Sequence, residues 1–251
     1  MLMILGLLTT GCSGDDPSAT EEATASAVAP TAGPDGRAPV VVLDPGHNGG
    51  NDEHLDAIDR RVPAGRGETK PCNTTGTASD DDYPEHTFNY AVAERARQTL
   101  EARGVRVVLT RDGDDGVGPC VDERAAIGNR TRAAAVVSIH ADGAPADARG
   151  FHVIYSHPPL NAAQGEPTHR LANALVTSLS RAGLPKADYV GGDGLDGRDD
   201  LAGLNLSERP AVLVECGNMR NEQEAELMSS PRGHRLYGDA IARGVLAYLD
   251  R

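Results

Sequence analysis

Two histidines and two glutamates stand where strand-like runs end or a helix-like run begins. His47 closes the segment Val41 to His47, Val-Val-Leu-Asp-Pro-Gly-His, and His140 closes Ala135 to His140, Ala-Val-Val-Ser-Ile-His. Glu215 closes Ala-Val-Leu-Val-Glu from Ala211, and Glu85 opens a long stretch of helical periodicity. Two imidazoles and one carboxylate are the protein half of a catalytic zinc site, while a second carboxylate can carry protons. The residue types therefore point to a metallohydrolase.

Each residue also has a plainer reading. The Asp-Pro-Gly before His47 forces a turn, so His47 alone could be a turn histidine. A histidine that ends a buried strand, as His140 does, must hydrogen-bond or ligate something. Glu85 follows Pro84, where an acid in the first turn of a helix is favoured by the helix dipole. Glu53, Glu68, His54 and His86 compete with it as a third ligand. An acid after Val-Leu-Val is costly to bury unpaired, so Glu215 requires a task or a partner. No compact His-Glu-x-x-His motif is present, and spacing alone does not select the ligand set.

The elements that must position these residues are short β-branched runs alternating with helical patterns. Val40 to Leu43, Val105 to Thr110, Ala135 to Ile139, Phe151 to Tyr155 and Ala211 to Glu215 read as largely buried strands. Helices are expected over Glu85 to Arg103, Cys120 to Arg132, Pro167 to Ala182 and Pro231 to Leu249. The alternation predicts a single three-layer α/β domain over residues 40–251, with a central mixed, mostly parallel sheet flanked by helices. In such sheets ligands bind beyond the carboxyl ends of the strands, which is where His47, His140 and Glu215 fall.

Composition narrows the partners. A net charge of -13 disfavours nucleic acid, and the absence of Trp argues against an aromatic stacking platform. Residues 1–12 are apolar, then small, and read as an export signal too short to span a bilayer. Cys12, directly after Gly11, resembles the lipidation site of a bacterial lipoprotein and would supply a membrane tether; the alternative is a cleaved signal in which Cys12 is incidental. Residues 13–39, rich in Ala, Thr, Ser, Pro, Gly and Asp, read as a flexible linker. An exported chain meets an oxidising compartment, so Cys72 and Cys120, both in polar loops, are expected to form a disulfide. Closing that loop would contribute about 4 kcal/mol in the chain-entropy model. Cys216 should point away from Glu215 as a small buried hydrophobe.

From about Val40 to Leu249 the chain resembles the zinc-dependent N-acetylmuramoyl-L-alanine amidases of bacterial cell walls. The resemblance lies in Leu43 to Gly50 (Leu-Asp-Pro-Gly-His-Asn-Gly-Gly), Glu85 with Asn89, Leu109 to Arg111 (Leu-Thr-Arg), Glu123-Arg124 with Asn129, Ser138 to Asp142 (Ser-Ile-His-Ala-Asp) and Pro210 to Gly217. It implies His47, Glu85 and His140 as zinc ligands and Glu215 as catalytic acid/base. The implied reaction is hydrolysis of the amide joining N-acetylmuramic acid to L-alanine, in peptidoglycan or in muropeptides. Rival readings are a zinc amidohydrolase or peptidase cutting another bond, and a non-catalytic wall-binding lipoprotein. Arg198 and Asn89 are candidate substrate contacts, and Asp44 is either a turn residue or a support for a ligand imidazole. The connection from His47 to Glu85 is longer than in many members of the family, and a substrate-shaping or regulatory role is expected of it. A monomer acting in the cell envelope, in a periplasm-like space or on the outer membrane face, completes the expectation.

Overall fold

The computed structural model describes residues 38–250. The expected export signal, Cys12 and nearly all of the linker lie outside the described residues. Among the described residues there are eight strands: β1 Val40–Pro45, β2 Arg61–Gly65, β3 Glu68–Pro71, β4 Arg106–Leu109, β5 Ala135–Asp142, β6 His152–Ser156, β7 Leu195–Arg198 and β8 Ala211–Asn218. The helices are α1 Leu55–Ile58, α2 Glu85–Glu101, α3 Val121–Arg130, α4 Glu166–Arg181, α5 Ala202–Asn205, α6 Glu222–Met228 and α7 Pro231–Leu249. Six strands form one sheet in the order β4-β1-β5-β8-β6-β7, and β2 pairs with β3 as a separate hairpin.

Strands β4, β1, β5 and β8 run parallel, whereas β6 pairs antiparallel to β8 and parallel to β7. The sheet is therefore mixed and mostly parallel, as the alternation predicts. Its alternating side chains feed two cores, because successive strand residues face opposite sides. Val41, Leu43, Val137, Ile139, Val212 and Val214 pack under α2, α4 and α7, where Phe88, Leu175 and Ile241 are fully buried. Val42, Val136 and Ile154 face the other way, against Leu204 and Ile127 of the α3/α5 layer. These two helical layers and the sheet make the three layers.

Period two has a functional result. Val42 and Asp44, Val136, Ser138 and His140, Leu213 and Glu215, and His152 and Ile154 all share the α3/α5 side. The register sets Asp44 beside Ser138, and His140 and His152 on either side of Glu215. Beyond His140 the β5–β8 register shifts, so that Asp142 meets Asn218. Such an irregularity at a strand end redirects side chains next to a site.

The long connection between His47 and Glu85 is ordered and holds α1 and the β2–β3 hairpin. It is anchored by the Cys72–Cys120 disulfide, which spans a sequence separation of 48 residues and forms as expected. Asn205 donates to Ala64 O at 3.0 Å, and Arg66 donates to Ser156 Oγ at 3.2 Å, docking the hairpin on α5 and β6. Among the described residues no helix is long and apolar enough to cross a membrane.

Candidate metal centre

The site forms at the carboxyl edge of β1, β5 and β8, with α2 reaching in from the opposite layer. His47 leaves β1 in a left-handed conformation, φ 60°, which a residue with a side chain adopts only when its surroundings hold it there. Two buried arginines do so. Arg111 donates to Pro45 O at 2.9 Å, and Arg124 donates to Pro45 O and His47 O, both at 2.8 Å. The Leu-Thr-Arg and Glu-Arg motifs thus supply donors to a turn whose carbonyls would otherwise be buried unpaired.

Asp44 anchors this clamp. It accepts from Arg124 at 2.8 Å, Thr110 at 2.6 Å and Ser138 at 2.6 Å. Burial alone would raise its carboxyl, but Arg124 and the two hydroxyls outweigh burial and hold it down at about 2. Asp44 is therefore neither a simple turn residue nor an imidazole support: it fixes Arg124, which fixes the backbone of His47.

The ring of His47 is oriented by the long connection. Its Nδ1–H donates to Thr74 O at 3.0 Å, leaving Nε2 to face Glu85 Oε2 at 3.1 Å. Glu85 Oε1 meets His140 Nδ1 at 3.0 Å. Glu85 also accepts from the amides of Thr77 at 2.9 Å and Ala141 at 3.2 Å, and from Asn89 Nδ2 at 3.1 Å. Burial would raise the Glu85 carboxyl, but the two imidazoles prevail and keep it well below the ordinary carboxylate range. Burial likewise disfavours a charged His47, and Glu85 more than offsets it, so that its pKa is raised.

Ligand atoms of His47, Glu85 and His140 all lie within 4.8 Å of one another. Two glycines make room for them. A Cβ on Gly46 would overlap the imidazole of His140, and one on Gly76, at φ 83°, would press on Glu85 and His47 at 2.9 to 3.0 Å. Two imidazoles and a carboxylate with outer partners on Thr74, Thr77 and Asn89 fit the donor set of a catalytic zinc site. The rival ligands lie elsewhere: His86, for instance, pairs with Asp114 at 2.8 Å.

Glu215 shares the cleft but not the cluster. It lines a cavity of about 330 Å³ together with His47, His140, Lys70 and Arg198. Its Oε2 is enclosed and has no hydrogen-bond partner. Loss of solvent pushes this carboxyl well above its ordinary range, and the negative charges of Glu85 and Asp142 add to the effect. Cys216, on the opposite face, is a buried free thiol within the α2/α4/α7 core, and burial raises its pKa well above the ordinary value.

The two candidate substrate contacts fare differently. Arg198 lines the cavity, although Asp200 accepts from its Nε and Nη2, both at 2.8 Å. Asn89 is fully buried and is spent on Glu85 and on Gly46 O, so the expectation of substrate contact there is corrected to one of holding the Glu85 carboxylate. Thr74 and Thr77 escaped the sequence reading, because a loop threonine that aims its backbone at a ligand leaves no local pattern.

Among the described residues, the donor set, the cavity and the unpaired acid together form the candidate metal centre of an enzyme built on an α/β sheet. Comparison with known proteins gives the family. Residues 41–247 match the model of the N-acetylmuramoyl-L-alanine amidase family, and the chain belongs to that family. It is 52% identical over 210 residues to an N-acetylmuramoyl-L-alanine amidase of Mycobacterium tuberculosis, covering 84% of this chain and 86% of that protein. The crystal structure of the amidase Ami1 from Mycobacterium smegmatis superposes with a TM-score of 0.82 at 52% identity, covering 85% of this chain and 97% of that one. The apo form of Ami1 from Mycobacterium abscessus gives the same TM-score at 54% identity, with 85% and 99% covered.

Proposed function

We infer that this chain hydrolyses the amide between the lactyl group of N-acetylmuramic acid and L-alanine in peptidoglycan or its fragments, outside the cytoplasm. His47, Glu85 and His140 would hold zinc, and Glu215 is the proton carrier. The observation that carries this reading is the pairing of a carboxylate bridged by two imidazoles with a second, unpartnered carboxylate in the same cavity.

When bound, zinc supplies Lewis-acid chemistry, polarising the carbonyl under attack and making water acidic near neutral pH. The chain's own residues do the rest. Thr74 holds the ring of His47, Thr77 and Asn89 hold the carboxylate of Glu85, and the arginine clamp fixes the turn that carries His47. Glu215 accepts a proton from the attacking water as its oxygen bonds to the amide carbon. As the C–N bond breaks, Glu215 returns that proton to the departing L-alanine nitrogen. Burial raises its pKa above the ordinary carboxylate range, which favours a carboxyl that can take up a proton as well as release it. Arg198 at the cavity wall supplies a positive charge for a stem-peptide carboxylate, and Asp200 restrains it in place.

The test is zinc analysis together with digestion of purified muropeptides by the wild type and by Glu215→Gln. The expected result is zinc in both proteins, and a free L-alanine amine on the released stems from the wild type alone. A different new amine terminus would instead indicate a peptidase. Binding without release would indicate a non-catalytic wall-binding protein.

A further inference from the structure

Glu215 has a second histidine beside it that neither the metal centre nor the cavity wall uses. In the antiparallel β6–β8 pairing His152 stands directly opposite Glu215. Directly opposed residues project to the same face with Cβ atoms about 5 Å apart. The parallel β5–β8 pairing puts His140 on the other flank, so one row across the sheet reads His140, Glu215, His152.

His152 is only 2% exposed, and its Nδ1 is enclosed without a hydrogen-bond partner. The enclosed Oε2 of Glu215 is in the same condition. Leaving either group unpaired in a buried setting is unfavourable. Two such orphans on opposed residues of one face can satisfy each other through side-chain torsions alone. The ring is also packed by Tyr189, which lies edge-on to it with centroids 5.9 Å apart and donates its hydroxyl to Asp142 Oδ2 at 3.0 Å. Burial lowers the pKa of His152, which keeps the imidazole neutral and able to donate one N–H.

We propose that His152 is a positioning residue for the reaction: a side-chain rotation from the arrangement in this structure, where neither atom has a partner, brings its Nδ1–H to donate to Oε2 of Glu215 and fixes the orientation in which the carboxyl meets water and the leaving nitrogen. This rests on the assignment of Glu215 as proton carrier. His140 then ties one flank of Glu215 to the metal ligands, while His152 sets the acid itself. Without that bond the carboxyl keeps its proton chemistry but rotates freely, so turnover falls while substrate binding does not.

The experiment compares His152→Leu, which keeps volume and loses the donor, with His152→Asn, whose amide nitrogen stands about where Nδ1 does. Both are made in the full chain, loaded with zinc and assayed on muropeptides. The expected result is a fall in kcat of about tenfold or more for His152→Leu, with KM and zinc content within about twofold of wild type, and recovery to within about threefold for His152→Asn. Wild-type kcat in His152→Leu, or equal loss in both variants, would overturn the proposal.

A second readout needs neither turnover nor a His152 variant. The Nδ1–H proton resonance of His152 in the wild type is expected to be hydrogen-bonded and to shift in Glu215→Ala; an unmoved resonance also overturns the proposal. The Glu215→Ala protein separates the two ideas. If it is fully active, the role of Glu215 as proton carrier fails, whether or not the resonance moves.

Discussion

Glu85 and Glu215 stand in one cleft as acids of the same type, and their surroundings are opposite. Glu85 opens a 17-residue helix, faces a ring nitrogen of each of two imidazoles, and accepts hydrogen bonds from two backbone amides and Asn89. Glu215 closes the apolar run of a central strand, with its Oε2 unpaired and two negative neighbours in range. Against its burial, the two imidazoles hold the Glu85 carboxyl well below the ordinary range, and loss of solvent, with the charges of Glu85 and Asp142, lifts that of Glu215 well above it. A carboxylate that is always charged suits a cation, and one that is readily protonated suits proton transfer. The fold gives the two acids opposite electrostatic settings within one cleft.

The most severe way to break the comparison is Glu85→Ala, which leaves two imidazoles without their bridging acid. Zinc content measured by atomic absorption should fall to background, and amidase activity should disappear with it. Glu215→Gln probes the other side. Turnover should drop by about 10²- to 10⁴-fold while zinc stays bound, and a parallel loss of metal would dissolve the distinction between the two acids.

Asn89→Ala removes one donor from Glu85 without touching the cavity. Zinc affinity, titrated against a competing chelator, should weaken by about 10- to 100-fold, with kcat of the loaded enzyme little changed. Asp44 sharpens the contrast as a third carboxylate, paired with an arginine instead of a metal site. Its pKa is depressed to about 2 on folding, so its stabilisation is complete above the unfolded value and is lost as pH falls through about 2. That stabilisation amounts to about 2 kcal/mol. In metal-free protein, Asp44→Asn should lower stability at pH 7 and flatten the acid limb of a denaturant titration; an unchanged acid limb would contradict the pairing.

How much of this was legible in the sequence depends on the range of the forces involved. Strands β1, β5 and β8 announce themselves, because burial on both faces demands continuous apolar runs. Helices α2, α4 and α7 show their periodicity for the matching reason. Placement at strand ends brought His47, His140 and Glu215 together, whereas Glu85 required the resemblance to choose it over Glu53, Glu68, His54 and His86.

The hairpin of Arg61–Gly65 and Glu68–Pro71 was invisible, since prolines and charges mask its pattern and its support comes from a disulfide and Asn205. Leu195–Arg198 is an edge strand of four mostly polar residues, too short to show alternation. The reversal of β6 against β8 has no local signature either. The burial of Asn89 and the convergence of Arg111 and Arg124 on one turn are tertiary facts, set by carbonyls distant in sequence.

Gly46 shows what such packing means for the sequences this fold can explore. The space a side chain would need there is already occupied by the ring of His140, some ninety residues later in the chain. Positions 46 and 140 are therefore not independent letters. Any change at 46 is closed while the histidine remains, and replacing the histidine first removes one of the three residues of the candidate metal centre. No ordered pair of single substitutions leads out of the combination through a working intermediate, so drift can rewrite much of the surface and still leave this glycine where it is.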